Sequence, residues 1–178
     1  PPGTWWGEGA AELGLSGRVD GRAFANLLNG RAPDGVSTLV RNAGLTSRRA
    51  GFDLCWSVPK SLSVLYSQAD FTLRQEIEAA GEHAVQRALA AFHDLCGITR
   101  RGPQGERIER AKLAVAIFRH DTAREVAGEV PDPNLHWHTV VCNVSVREDG
   151  TTGAFDAREL FRSPMKMADT LSPARRSA

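Results

Sequence analysis

Cysteine is scarce in this chain: Cys55, Cys96 and Cys142 are the three, with no Cys-x-x-Cys pair. An odd and sparse set argues against a disulfide framework and fits a reducing compartment. Long apolar runs are missing too. No window approaches the roughly 18 consecutive apolar residues of a membrane span, so no membrane insertion is expected. The opening Pro1-Pro2-Gly3-Thr4-Trp5-Trp6 has neither the basic region nor the apolar core of a signal peptide. It also lacks an initiating Met, so the chain is expected to begin inside a longer natural protein. An excess of one charge is absent as well. Twenty-two basic residues face 21 acidic ones, for a net charge of +1, which argues against a blanket polyanion binder. The composition, 42% hydrophobic and 24% charged, is that of a globular protein. A chain of 178 residues is one ordinary domain on length, able to bury roughly 70% of its unfolded surface.

The first 50 residues are rich in glycine and short polar residues. Turn signals stand at Asn29-Gly30 and Pro33-Asp34-Gly35. A short helix fits over 21–29, with Phe24, Leu27 and Leu28 as its apolar face. Residues 30–50 read as an exposed loop ending at Arg48-Arg49. A strand over 52–57 alternates Phe52, Leu54 and Trp56 against Asp53, Cys55 and Ser57. Pro59 suits the first turn of a helix reaching about residue 68, with Ser57 as its cap. A longer helix over 72–96 carries Leu73, Ile77, Ala80, Ala84, Ala88, Phe92 and Leu95 at three- and four-residue steps, and Gly81 weakens it slightly.

From Gly97 the period changes. Residues 98–101, a Gly102-Pro103-Gln104-Gly105 loop and the chain from Arg107 read as a hairpin. Residues 112–120 suit a buried strand, 121–134 a polar loop, and 135–147 the longest strand. A short helix is expected over 156–161. Later strands without crossover helices disfavour a doubly wound parallel fold. The fold class expected is α+β, a mainly antiparallel sheet with helices on one side.

Charge and histidine are distributed unevenly. The stretch 100–124 carries +4, leaving −3 for the remainder. A localised basic stretch can be a nucleic-acid footprint or simply a solvated hairpin face. His136 and His138 are two apart and share one strand face. His120 ends the preceding strand and completes a three-imidazole set if the two strands are neighbours. Such a set suits Zn²⁺, Mn²⁺, Co²⁺ or Ni²⁺ better than Mg²⁺, and a His-x-His pair alone often marks nothing. His83 and His93, ten apart in the long helix, read as structural or exposed. Asp53, in a strand with apolar neighbours, calls for an imidazole or a metal beside it, or else for an edge open to water. Three functions stay open on the residues alone: a three-His metalloenzyme such as a cupin-like oxygenase, a DNA-binding module with a structural metal, and a metal-dependent enzyme acting on phosphate esters. The 40 or so residues given to helices before the main strands disfavour the first.

The motifs, taken in order, resemble one family. Pro2-Gly3-Thr4-Trp5-Trp6-Gly7-Glu8-Gly9-Ala10, Leu13-Gly14-Leu15-Ser16-Gly17, Leu27-Leu28-Asn29-Gly30 and Pro33-Asp34-Gly35 look like the MobF class of conjugative relaxases. Gly51-Phe52-Asp53-Leu54 with Ser57-Val58-Pro59-Lys60-Ser61 is similar to that family's second motif. Phe118-Arg119-His120-Asp121-Thr122-Ala123-Arg124 with Asp132-Pro133-Asn134-Leu135-His136-Trp137-His138 resembles its histidine motif. The resemblance covers about residues 2–165.

It implies an HUH-superfamily endonuclease domain spanning 1–178, with helices packed around a central antiparallel sheet. It implies site- and strand-specific nicking and rejoining of plasmid origin-of-transfer DNA through a 5′-phosphotyrosine. His120, His136 and His138 would hold one divalent ion (Mn, Mg, Zn, Co or Ni), and Asp53 would orient one of them or act as base. Lys60, Arg100, Arg101, Arg107, Arg110, Lys112 and Arg124 are the candidate phosphate contacts, with Trp5, Trp6 and Trp137 as candidate base stackers. Expected partners are single-stranded or hairpin origin DNA, relaxosome accessory proteins and a coupling ATPase, in the bacterial cytoplasm.

In the family the nucleophilic tyrosines precede the Pro-Gly-Thr-Trp segment. The sole tyrosine here, Tyr66, matches a core position, so the chain as given is expected to bind its DNA without nicking it. The 120–136 loop is expected to be longer than in the family by residues 126–130, and the long helicase portion typical of the family is expected to be missing after residue 178.

Overall fold

The computed structural model describes residues 2–124, 130–158 and 160. The expected loop lengthening at 126–130 lies largely outside them; of the tail helix expected over 156–161, residues 158 and 160 are helical and residues 159 and 161 lie outside the described residues. Six strands, β1 (Thr4–Trp6), β2 (Gly51–Ser57), β3 (Ile98–Arg101), β4 (Arg107–Thr122), β5 (Pro133–Arg147) and β6 (Thr152–Gly153), form one antiparallel sheet. Four helices flank it: α1 (Glu8–Glu12), α2 (Gly21–Leu28), α3 (Lys60–Gln68) and α4 (Phe71–Cys96). The sheet order is β1-β4-β5-β2, with β3 also on β4 and β6 on β5.

Two long neighbours, β4 and β5, make the spine, 16 and 15 residues respectively. Both faces of this spine are covered, not one. On the first, Ile77, Val85, Leu89, Phe92 and Cys96 of α4 pack against Leu113, Val115 and Ile117 of β4 and Leu135, Trp137 and Val141 of β5. On the other, a smaller cluster joins Ala10, Leu15, Ala23 and Leu27 to Ala114 and Cys142. A strand buried on both sides reads as a continuous apolar run, and the expected placing of the helices on one side is corrected: α1 and α2 cover the second face. Each large aliphatic buried here contributes about 1.5–3 kcal/mol.

The buried stripe of α4 differs from the expected one. It follows Ile77, Val85, Ala88, Leu89, Phe92 and Cys96, whereas Ala80 and Ala84 are exposed and Leu95 is 38% exposed. Small alanines fit either side of an amphipathic helix, so their period carried little information. Gly81 lies on the buried side for a steric reason. A Cβ there would sit 2.2 Å from Cη2 of Trp137, so the indole occupies the space a side chain would need.

Local chemistry sets the helix starts. Asp70 caps α4 by accepting from the Leu73 amide at 2.9 Å, and Asp20 caps α2 by accepting from Ala23 at 2.8 Å. The expected Ser57 cap on α3 is not made: Pro59 takes the N-cap position without a side-chain hydrogen bond. Gly7 has φ +99, and a Cβ on it would lie 2.3 Å from the Leu113 carbonyl oxygen. That close approach lets α1 sit directly on β4 and explains one glycine of the N-terminal motif.

The segment 30–50 is irregular, as expected, but it is anchored. Val40 is buried, and Arg48 donates to the carbonyls of Leu28 (3.1 Å) and Asn143 (2.6 Å) and to Asn42 Oδ1 (2.7 Å). Among the described residues no helix is long and apolar enough to cross a membrane.

Candidate metal centre

Cross-strand register assembles the histidines. His120 on β4 stands directly opposite His136 on β5. His138, two residues along, faces the same side and lies opposite Phe118 on one flank and Cys55 of β2 on the other. Directly opposed side chains sit about 4.5–5.5 Å apart at Cβ, and the three ring centroids accordingly lie 5.2, 5.1 and 5.0 Å from one another. The chain gathers them at one end of the spine, where the smaller helical cover has stopped.

Hydrogen bonds orient two of the rings. His138 Nδ1 donates to Asp53 Oδ2 at 2.7 Å, and His136 Nδ1 donates to the Asn134 carbonyl at 2.8 Å. Each leaves its Nε2 as the free donor atom, the arrangement in which a carboxylate or carbonyl behind the ring fixes the tautomer of a metal-binding imidazole. Desolvation holds the His120 imidazole below its ordinary pKa, and the neighbouring His136 and His138 act in the same direction. The neutral, ligating form is therefore favoured near neutrality. Exposure is graded: His136 is buried, His138 half-buried and His120 exposed.

The pocket face holds one donor that motif reading passed over. One ligand atom each of Cys55, His136 and His138 lie within 4.8 Å of one another. Cys55 shares its strand face with Asp53 and Ser57, a signal present in the alternation, but only the β2–β5 register sets it opposite His138. Neutral imidazoles with a thiol nearby fit a divalent transition ion rather than Mg²⁺.

The basic candidates divide between the two ends of the sheet. Lys60 begins α3 beside the histidines and donates to Pro133 O at 2.9 Å and Asp132 Oδ2 at 3.2 Å. Arg124 is exposed just past the end of β4. Arg100, Arg101, Arg107, Arg110 and Lys112 stand at the far end, about ten residues or roughly 33 Å along β4 from His120. Most of that charge is engaged internally. Arg100 pairs with Asp156 at 2.7 Å, Arg101 with Asp149 at 2.7 Å and Lys112 with Glu12 at 2.5 Å, while Arg110 donates to the Asp94 carbonyl at 2.9 Å. Arg107 is exposed. Arg100 and Arg101 also line an open depression of about 660 Å³ together with Arg41 and Arg147.

One aromatic expectation is corrected by burial, that of Trp137, while Trp5 and Trp6 are half-buried. Trp137 is 2% exposed and packs on α4, so it is unavailable for stacking on bases. Trp6 packs against the main core, and Trp5 meets Phe24 edge-on at 6.0 Å. Tyr66 is buried and donates to Glu78 Oε1 at 2.5 Å, and Glu78 also pairs with Arg119. Burial first, and then the Glu78 carboxylate, push its phenol pKa up. His83 is exposed; His93 is partly buried, its Nε2 3.1 Å from the Ala111 carbonyl.

Comparison with known proteins agrees with this geometry. The TrwC relaxase family model matches residues 1–173. The multifunctional conjugation protein TraI of Escherichia coli is 38% identical over 144 residues, 79% of this chain and 8% of TraI. A solved structure of conjugative relaxase TrwC with oriT DNA in a metal-bound state has a TM-score of 0.77 at 33% identity, covering 96% of this chain and 57% of that one. TrwC complexed with a 27-mer DNA comprising the recognition hairpin and the cleavage site matches at 34% identity and TM-score 0.77, over 95% of this chain and 58% of that one. This chain thus spans under a tenth of TraI and somewhat over half of the solved relaxase chains, and it belongs to the TrwC relaxase family.

Proposed function

We propose that this domain is the metal- and DNA-binding part of a protein that nicks and rejoins one strand of plasmid origin-of-transfer DNA. The observation that carries the reading is the packing of three imidazoles within 5.2 Å, one of them backed by Asp53 at 2.7 Å. His120, His136 and His138 hold the divalent ion. Bound there, it supplies Lewis-acid polarisation of the scissile phosphoryl oxygens.

Chain direction supports a tyrosine delivered from upstream. Thr4 pairs with Ile117 and Trp6 with Val115. Followed backwards, β1 therefore heads along β4 towards His120, the direction in which a segment upstream of it would approach the histidines. In the transesterification a phenolic oxygen forms the bond to phosphorus as the 3′ oxygen leaves. The product is a 5′-phosphotyrosine and a free 3′-hydroxyl, and rejoining is the reverse. The 2.7 Å hydrogen bond to His138 favours orientation of that ring as the role of Asp53 over acceptance of the phenol proton.

Lys60 and Arg124 are the phosphate contacts at the cleavage end. Arg100, Arg101 and Arg107 serve at the far end, roughly one DNA turn away, where phosphates compete with Asp149 and Asp156. Arg110 and Lys112 mainly brace the fold. The same reading places the protein in the cytoplasm of a plasmid-bearing bacterium, with relaxosome accessory proteins and a coupling ATPase as partners.

The test is a labelled single-stranded origin oligonucleotide incubated with the full-length protein and Mn²⁺, resolved on a denaturing gel. A covalent protein–DNA adduct is expected, and it is lost when His120, His136 and His138 are all replaced by Ala. An adduct that survives that triple replacement, with metal content unchanged, overturns the assignment.

A further inference from the structure

We propose that Cys55 is a donor to the same ion, so that the DNA-free protein binds its metal through three imidazoles and one thiolate. The inference rests on the metal reading above and extends it to a residue outside the three histidines. Geometry carries it. Cys55 lies directly across the β2–β5 ladder from His138 and diagonally from His136. Its sulfur and one ring nitrogen of each histidine are mutually within 4.8 Å. Donors sharing one tetrahedral zinc, at about 2.3 Å for sulfur and 2.0–2.1 Å for nitrogen, stand roughly 3.3–3.6 Å apart. The remaining closure is at most about 1.2–1.5 Å, within the reach of a χ1 adjustment at an exposed strand residue.

The surroundings of the three thiols separate them. Cys96 and Cys142 are buried among apolar side chains and belong to the two cores. Cys55 is exposed, on the strand face that also carries Asp53, and its Sγ approaches Ser57 Oγ only at 3.9 Å. A thiol there contributes nothing to the core. It stands beside two imidazoles whose Nδ1 atoms are engaged by Asn134 and Asp53, which leaves Nε2 of each ring as the donor. A thiolate donor shifts preference towards thiophilic ions, Zn²⁺ and Co²⁺ over Mn²⁺ and Mg²⁺.

The experiment uses the full chain without DNA. Co²⁺ is titrated in while the near-ultraviolet sulfur-to-cobalt charge-transfer band and the visible d–d bands are followed, and zinc K-edge absorption is measured on the Zn²⁺ form. The expected result is one ion per chain, a charge-transfer band, and one sulfur scatterer at about 2.3 Å. In Cys55→Ser the band and the sulfur scatterer vanish while one ion still binds through the histidines, at least about 10-fold more weakly. An ion bound by the wild-type protein with no sulfur scatterer and no charge-transfer band overturns Cys55 ligation and leaves the histidine reading standing. No ion bound at all overturns that reading and this one together. The wild-type spectra decide the matter even if Cys55→Ser fails to fold.

Discussion

Replacing Gly81 by alanine sets two effects of known size against each other. In the interior of a helix, alanine is favoured over glycine by about 0.8–1.0 kcal/mol. At this position the added methyl carbon would lie 2.2 Å from Cη2, 2.6 Å from Cζ2 and 3.0 Å from Cζ3 of Trp137. An unstrained carbon–carbon contact is about 3.5–4.0 Å, so more than roughly 1 Å must be recovered. Trp137 is 2% exposed and packed on α4, with a depression of about 210 Å³ on one side that Gly81, Ala84 and Trp56 also line, so its ring can yield only towards that side and at the expense of its packing. Overpacking of this kind costs about 1–3 kcal/mol, and the net effect is a destabilisation of up to about 2 kcal/mol where propensity alone promises a gain. Because Trp137 lies between His136 and His138 on β5, the displaced strand also loosens the metal centre, and metal affinity falls with stability.

Urea unfolding followed by circular dichroism measures the first effect, and metal titration the second. In a Trp137→Phe background the outer ring atoms are gone, together with an indole N–H that has no hydrogen-bond partner among the described residues. There Gly81→Ala should become neutral or stabilising, a coupling of about 1 kcal/mol or more between the two sites. Stabilisation by about 1 kcal/mol in the wild-type background, or an identical effect in both, would refute the steric argument.

Other outcomes follow from the same coordinates. Asp53→Asn should weaken metal binding about 10- to 100-fold by loosening His138, as read by competition with a chelating dye; undiminished affinity would detach Asp53 from the centre. Tyr66→Phe should leave DNA cleavage by the full-length protein intact and cost about 1 kcal/mol of stability through the lost bond to Glu78; loss of the covalent adduct would make Tyr66 the nucleophile. Burial pushes the Cys142 thiol up to about 12, so on the order of 10⁻⁴ of it is thiolate at pH 8. Iodoacetamide followed by peptide mass mapping should therefore mark Cys55 in the metal-free native protein and spare Cys142. Burial raises the Asp156 carboxyl, but hydrogen bonds from Arg158 and Arg100 outweigh it and leave its pKa below the ordinary value. Its contribution to stability is then complete above the usual carboxylate range and lost as pH falls through that range towards the folded value. Asp156→Asn should flatten the acid limb of the stability curve, and an unchanged limb would remove Arg100 and Arg158 from the account.

Much of this protein was legible along the chain, because some interactions are local. The helical recurrence that carries Ile77, Ala88 and Phe92, and the alternation of Phe52, Leu54 and Trp56, each reflect contacts made within a few residues. The shared face of His136 and His138 follows from the two-residue period of a strand. The order of motifs along the chain was enough to suggest the family, and the separate matches over residues 1–173 agree with it.

What the chain could not state was which distant segments stand side by side. His120 opposite His136, Cys55 opposite His138 and Asp53 on His138 are products of register between strands up to 85 residues apart, and a slip of one residue would turn every one of those side chains to the other face. The basic stretch shows the same limit in reverse. A run of positive charge is visible in sequence, but Asp156, Asp149 and Glu12, which neutralise Arg100, Arg101 and Lys112, reach it from 48 to 100 residues away. Local sequence determined the elements and the ligand types. The tertiary fold alone decided which donors share one site and which charges remain free, because those properties depend on distances across the sheet that no local interaction sets.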